Sequence, residues 1–294
     1  MIVITTPLGT VGSEVAQLLL KHSPPLPFRL AAHTLDKVTR QYGLQVPCVK
    51  FDFADQDTWN ATLDGIRILF LVVPVPDRTI IRTQIEPFID AAVRAGCQHI
   101  VYLSIPGADH LKILPHYQVE RHIEASGISY TLLRASYFMQ NLCGKNSTHG
   151  VDIATRHEVF IPAGNGALGF IDTRDIAQVV IKVCEQPQLY QNKSYLLTGQ
   201  VKLTFLEVAS IFSQVMGYPV RYAHPSIPHF WVRMLRRGVP WSLIFFMTLE
   251  YTLARMGKSG FLTNEVSLLL GRPATPLLQF VEDYKEHWRT QSWV

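Results

Sequence analysis

The chain has 294 residues, 48% hydrophobic and 17% charged, with 18 glycines and 18 prolines, a composition that excludes a collagen, a coiled coil and a disordered chain. A chain of this length buries roughly three quarters of its unfolded surface, enough for one large α/β domain or two small ones. Its 27 basic and 23 acidic residues leave a formal net charge of +4 with no basic stripe, so nucleic acid is not implied as a partner.

Residues 1 to 5 (MIVIT) read as a strand, and Val11 to Lys21 repeats apolar positions at helical spacing, giving a strand, a glycine turn and a helix. Further strands are expected at Phe28 to Ala32, Val46 to Phe53, Ile66 to Val73, Ile100 to Ser104 and Tyr130 to Leu133, and Ile66 to Val73 and Ile100 to Ser104 are apolar enough to be buried on both faces. Arg78 to Ala95 and Leu114 to Ser126 read as helices, Gly127 ending the second. Strands alternating with helices predict a doubly wound parallel sheet.

Beyond about residue 140 the alternation loosens. A strand pair is expected at Val159 to Ile161 and Leu168 to Ile171, followed by a helix from Asp175 to Glu185. Asp172 and Asp175, with Arg174, are expected to fix a loop and cap that helix rather than do chemistry. Mixed elements follow at Tyr195 to Leu197, Leu203 to Met216 and Val220 to Tyr222. From Ile227 onward helices are punctuated by glycine and proline, and Trp241 to Leu249 is expected to bury most of its faces, being far short of the ~20 residues a membrane span requires. The expected organisation is a dinucleotide-binding domain over residues 1–150, to which 168–200 return, and a mainly helical substrate-binding portion over 201–294.

Cys48, Cys97, Cys143 and Cys184 form no Cys-x-x-Cys, and the N-terminus shows no signal-peptide pattern. Reduced thiols and a cytoplasmic location are expected. Eleven histidines form no His-x-x-x-His or carboxylate-flanked cluster, so zinc is not implied.

The chemistry begins at Thr5 to Gly12. In this βα turn Gly9 lets the backbone approach a phosphate and Gly12 permits close packing, while the helix N-terminus offers amides to a pyrophosphate. No acidic residue stands at the tip of the second strand, where His33, Lys37 and Arg40 are placed to meet a 2′-phosphate, so NADP(H) is expected in preference to NAD(H), with NAD(H) still admissible.

Beyond Thr5 to Gly12, the stretches Phe51-Asp52-Phe53, Phe70 to Pro74, His99 to Ser104, Ser126 to Arg134, Tyr137 to Asn141, Phe170 to Ala177, Leu197 to Gly199 and Leu270 to Pro273 together resemble the NmrA-like branch of the atypical short-chain dehydrogenases/reductases. The resemblance implies a Rossmann-like NAD(P)-binding domain with a smaller C-terminal portion forming the substrate cleft. It implies that Thr6, Gly9, Val11 and Gly12 form the pyrophosphate loop, that His33 and Lys37 lie at the adenosine ribose or its phosphate, that Asp52 and Phe53 lie beside the adenine, and that Val73 and Pro74 flank the nicotinamide ribose. The chain departs from the family at Thr6, which replaces the first glycine of the loop, and at His33, which replaces a more strongly basic residue.

The Tyr-x-x-x-Lys pair of short-chain reductases is absent. Its nearest substitutes stand on one helix: His116, Tyr117 and Gln118, with Arg121 one turn beyond Tyr117. The family commonly has His or Lys at the position of His116, and Lys in one branch at that of Gln118. His116 is therefore the first candidate for a ribose contact or an acid, Ser104 for a hydrogen bond to the substrate, and Tyr137 for stacking near the nicotinamide. Phe230, Trp231, Trp241, Phe245 and Phe246 suit a bulky apolar or aromatic substrate. The expected protein is an NAD(P)H-dependent reductase of a quinone, enone or imine, as monomer or homodimer. The alternatives are an NADP-binding redox sensor without turnover and a non-redox isomerase, cyclase or lyase.

Overall fold

The structure, a computed structural model, describes residues 1–73, 77–143 and 149–289. The chain divides into two compact units, one of residues 1–135 with 173–197 and the other of residues 136–172 with 198–294.

The first unit is built on β1 (Ile2–Thr5), β2 (Phe28–Ala32), β3 (Cys48–Lys50), β4 (Ile68–Leu71), β5 (His99–Ser104) and β6 (Ser129–Ala135). They lie side by side as β3-β2-β1-β4-β5-β6, and the strand Lys193–Leu197 adds to β6. Every pairing in this sheet is parallel. All residues of β1, β4 and β5 are buried, as strands covered on both faces must be. One face (Val3, Leu69, Ile100, Tyr102, Leu132) packs with Phe88, Ile89, Val119 and Ile123 from the helices Glu86–Arg94 and Pro115–Ala125. Residues of the other parity, such as Ile4, Phe70 and Val101, are equally buried. The helices α1 (Thr10–Lys21) and Thr173–Glu185 pack against one another.

The doubly wound parallel sheet thus follows the alternation of strand and helix patterns. The expected long helix after residue 78 is continuous, but its stretch Ile81–Ile85 is wound as a π-helix.

In the second unit Tyr137–Phe138, Ala167–Ile171 and Lys202–Thr204 make a three-stranded sheet, and Glu158–Val159 pairs with Arg221–Tyr222. The segments around Val159 and Leu168 therefore do not pair with each other as the sequence suggested, because each finds a later or earlier strand as its partner. Residues 136–143 join this unit, since Tyr137–Phe138 pairs with Ala167–Ile171 rather than with the large sheet. A second correction concerns Trp241–Arg255. Only Ile244, Met247, Tyr251 and Ala254 are buried, a single stripe at helical spacing, whereas Trp241, Phe245 and Leu249 are exposed. Among the described residues no helix is long and apolar enough to cross a membrane.

Gly199 locks the three-stranded sheet. A Cβ there would lie 2.0 Å from the Phe170 carbonyl oxygen, which is backbone and cannot turn away. Gly199→Ala is expected to lower stability by about 1–3 kcal/mol, measured as a fall in the urea midpoint without a change in slope.

Candidate functional site

In a parallel sheet all strand C-termini share one edge, so Thr6, His33, Asp52 and Val73 follow strands that end on the edge where Ser104 closes β5. The strand order reverses between β1 and β4, where α/β sheets open a crevice for ligands. Thr5 fastens this point: its hydroxyl accepts from the Val72 amide at 2.9 Å and lies 3.2 Å from the Phe70 carbonyl.

The turn from β1 to α1 is tight. Thr6 has φ +53°, the left-handed region that a β-branched residue seldom adopts, and its carbonyl accepts from the Gly9 amide at 2.9 Å. A Cβ on Gly12 would stand 2.2 Å from that carbonyl oxygen, so only glycine lets α1 begin this close to β1. Gly9 is the N-cap and brings no capping side chain, and no acidic residue occupies the first turn. The amides of Thr10, Val11 and Gly12 meet no acceptor among the described residues. This cradle of amides at a positive helix end fits a diphosphate. Behind it, the Tyr42 hydroxyl donates to the Pro7 carbonyl at 2.7 Å and braces the turn.

Past β2, His33 is exposed and its Nε2 lies 3.6 Å from Asp52, whose other oxygen caps the Ala54 amide at 2.9 Å. Lys37 is exposed on α2 (Leu35–Tyr42). Phe53 meets Phe51 and Phe88 edge-on with centroids 4.7 and 5.3 Å away. Val73 is buried, and Pro74 lies outside the described residues.

Two contacts join β5 to the helix Pro115–Ala125. The Tyr102 hydroxyl is 2.6 Å from His116 Nδ1, and the Ser104 hydroxyl donates to Glu120 at 2.6 Å. Burial pushes the His116 imidazole down to about 4, so near neutral pH the ring is uncharged. Burial also pushes the Tyr102 phenol well up, so both partners of this hydrogen bond are neutral and its direction follows the imidazole tautomer. Glu120 is fully buried and held by Arg134, whose Nε and Nη2 donate at 3.0 and 2.7 Å. Ser104 and Arg134 are register partners across β5 and β6. Ser104 has thus committed its proton, and only its lone pairs remain for a ligand. Tyr117 carries the Arg121 guanidinium over its ring at 5.5 Å, while Gln118 donates to Glu86 at 2.7 Å.

Tyr137 belongs to the second unit. Its buried hydroxyl lies 3.2 Å from that of Tyr251, which is 2.5 Å from His149 Nε2, and burial pushes the Tyr137 phenol up, making it a poor proton source. Asp172, also in this unit, is fully buried and accepts from Gln140 at 2.8 Å. Among the described residues no group of three or more His, Cys, Asp or Glu could hold a metal.

Sequence reasoning missed Tyr102, Glu120 and Tyr42. Two signals were present: a phenol in a strand that is buried throughout requires a partner, and Glu120 stands on the buried stripe of its helix between Val119 and Ile123.

A sheet ordered β3-β2-β1-β4-β5-β6, with a glycine turn feeding the first helix, places the molecule in the Rossmann-like class of folds. The NmrA-like family model matches residues 1–249, and the chain belongs to that family. It is 30% identical over 287 residues to the NAD(P)H azoreductase of Xenophilus azovorans, covering 96% of this chain and 97% of the relative. It is 26% identical over 287 residues to quinone oxidoreductase 2 of Escherichia coli, covering 96% and 97%. Among solved structures, the triphenylmethane reductase of Citrobacter sp. shares the fold with a TM-score of 0.84 at 24% identity, covering 97% of this chain and 99% of that one. The NADPH complex of the E. coli quinone oxidoreductase gives 0.82 at 25%, covering 96% and 99%.

Two experiments test the geometry. Thr6→Gly relieves left-handed strain worth about 1–2 kcal/mol at the expense of glycine's extra freedom, and is expected to raise stability by about 0.5–1 kcal/mol, whereas Gly12→Ala is expected to lower it by about 1–3 kcal/mol. Chemical denaturation reads both. Arg134→Met removes the two direct donors of the buried Glu120 carboxylate, leaving it Ser104 and the more distant Arg121 at 3.7 Å, and is expected to cost about 3 kcal/mol on the same assay.

Proposed function

We propose that this chain is a cytoplasmic reductase that uses NADPH, in preference to NADH, to reduce a small apolar acceptor of the quinone, enone or imine class. The observation that carries the reading is the open amide cradle at the head of α1, closed beneath by Gly12, in a chain of this family. Relatives named as an NAD(P)H azoreductase and a quinone oxidoreductase, both matched nearly end to end, support it.

On this reading Thr6, Gly9, Val11 and Gly12 hold the diphosphate, His33 and Lys37 meet the adenosine 2′-phosphate, and Asp52 and Phe53 border the adenine. Val73 stands beside the nicotinamide ribose, where the family resemblance also puts Pro74. The bound dinucleotide would supply the hydride. His116, neutral and held by Tyr102 at Nδ1, offers Nε2 as a hydrogen-bond partner to the ribose or the acceptor, since a neutral imidazole is too weak an acid to release a proton. Ser104 accepts from a ligand hydroxyl, Tyr117 and Gln118 support the helix that carries His116, and the second unit, which contains Tyr137, we assign to substrate binding, in a monomer or homodimer.

Fluorescence titration with NADPH and NADH, followed by the absorbance of the reduced cofactor against quinones, enones and cyclic imines, tests the reading. Saturable NADPH binding with turnover of one panel member is expected, and absence of binding sinks it. Lys37→Glu is expected to weaken NADPH about tenfold and NADH much less. The kcat profile should show no His116 ionisation between pH 5 and 8, because that ring stays neutral down to about pH 4. His116→Ala should lower kcat/KM about tenfold through the lost hydrogen bond.

A further inference from the structure

The second unit carries a basic concavity that the reductase reading does not use. It has a volume of about 340 Å³ and is lined by Arg156, His229, Val232, Arg233, Arg236 and Arg237. Arg156 ends the helix Gly150–Arg156, and the other five lie on or just past Ile227–Arg236.

Beneath the arginines lie two carboxylates, Asp152 and Glu158, 0% and 4% exposed. Arg237 grips Asp152 with both terminal nitrogens at 2.8 and 2.5 Å, Arg233 reaches it at 3.0 Å and also pairs with Glu158, and Arg156 Nε approaches it at 3.6 Å. The Arg233 guanidinium lies over the Phe160 ring, 3.3 Å from its centroid. These contacts fix the directions of the guanidiniums in advance, so that little side-chain entropy is lost when they meet a ligand.

The carboxylates neutralise only part of the charge. Four arginines line the concavity above Asp152 and Glu158, and Arg221 also donates to Glu158 at 3.1 Å, so arginines outnumber these two acids here. Arg233 spends only Nη1 on the acids, and Arg236 meets no acceptor among the described residues. Donors in this fork geometry match a tetrahedral oxyanion, which takes paired N–H bonds from several arginines at once. The volume lies at the lower end of the range for small-molecule pockets, and His229 and Val232 add a less polar wall, so the space exceeds that needed by an inorganic ion.

We propose that this concavity is a binding site for a small phosphomonoester, its doubly charged head held by Arg156, Arg233 and Arg236 and its organic part resting against His229 and Val232. The site lies wholly within residues 149–237 of the second unit.

Calorimetry at constant ionic strength, with no nucleotide present, tests it with phenyl phosphate, inorganic phosphate and benzoate as probes. Phenyl phosphate should bind saturably at one site per chain, at least tenfold more tightly than benzoate and more tightly than inorganic phosphate, and should raise the thermal midpoint by mass action. Arg156 and Arg236 are exposed, so Arg156→Gln with Arg236→Gln should leave the ligand-free thermal midpoint unchanged while weakening phenyl phosphate at least tenfold. Arg236→Lys in the Arg156 background should retain part of the affinity. Equal binding of phenyl phosphate and benzoate, undiminished binding in the double variant, or no saturable heat with any probe would overturn the proposal. None of these outcomes bears on NADPH binding, which is measured separately.

Discussion

The approach of the Thr6 carbonyl to Gly12 governs how the first strand delivers the chain into the first helix. With a side chain at position 12 the helix could not start where it does, and its free amides would be displaced from the point at which the strand order reverses. The turn is held from two sides, by Thr5 bonded to Val72 and by Tyr42 bonded to Pro7. Both braces come from neighbouring secondary structure, which is how a strained residue such as Thr6 persists at a conformation it would not choose. A glycine N-cap is part of the same design, since a Ser or Asp cap would satisfy the amides internally and remove the vacancy that an anion can fill.

A second constraint is metrical. Tyr102 and Ser104 are two residues apart on β5, a step of about 6.6 Å, and His116 and Glu120 are four apart on a helix, a step of about 6 Å. The near equality lets two successive polar contacts form between one strand and one helix, each residue on the correct face. Register then supplies the third member, because parallel pairing sets Arg134 beside Ser104 within reach of Glu120. The result is a buried, fully paired charge within an otherwise apolar layer, and the helix bearing His116 is pinned by it.

The sheet of the first unit was legible because β4 is apolar at every position, β5 is mostly so, and β1 is followed at once by a glycine turn and an amphipathic helix. Periodicity of that strength survives tertiary context. The second unit was less legible for the opposite reason: Glu158–Val159, Arg221–Tyr222 and Tyr137–Phe138 are two residues each, too short to carry a period, and their partners are remote in sequence. The exposed aromatics of Trp241–Arg255 misled because an apolar run reads as a buried one, while burial there follows only the stripe through Ile244, Met247, Tyr251 and Ala254. At the candidate site, loop positions were readable from their place after each strand, whereas Glu120 was hidden as an ordinary helix glutamate until the fold gave it Ser104 and Arg134.

The state of His116 constrains the chemistry more than its identity does. A lysine in the usual short-chain arrangement carries charge to the ribose and lowers a neighbouring phenol. Here the imidazole is neutral, its Nδ1 is engaged by a phenol that burial has made less acidic, and Tyr137 is likewise pushed up. None of these three groups is poised to surrender a proton near pH 7. A reduction whose hydride acceptor can take its proton from water afterwards needs no such group, and orientation with a hydrogen-bond donor suffices. Quinones, enones and imines fall in that class when the acceptor is already polarised or charged, while a simple ketone, which demands an acid at the carbonyl as hydride arrives, does not. Neither Tyr102 nor His116 can therefore serve as an acid near pH 7, and what their pairing offers is a fixed hydrogen-bonding geometry.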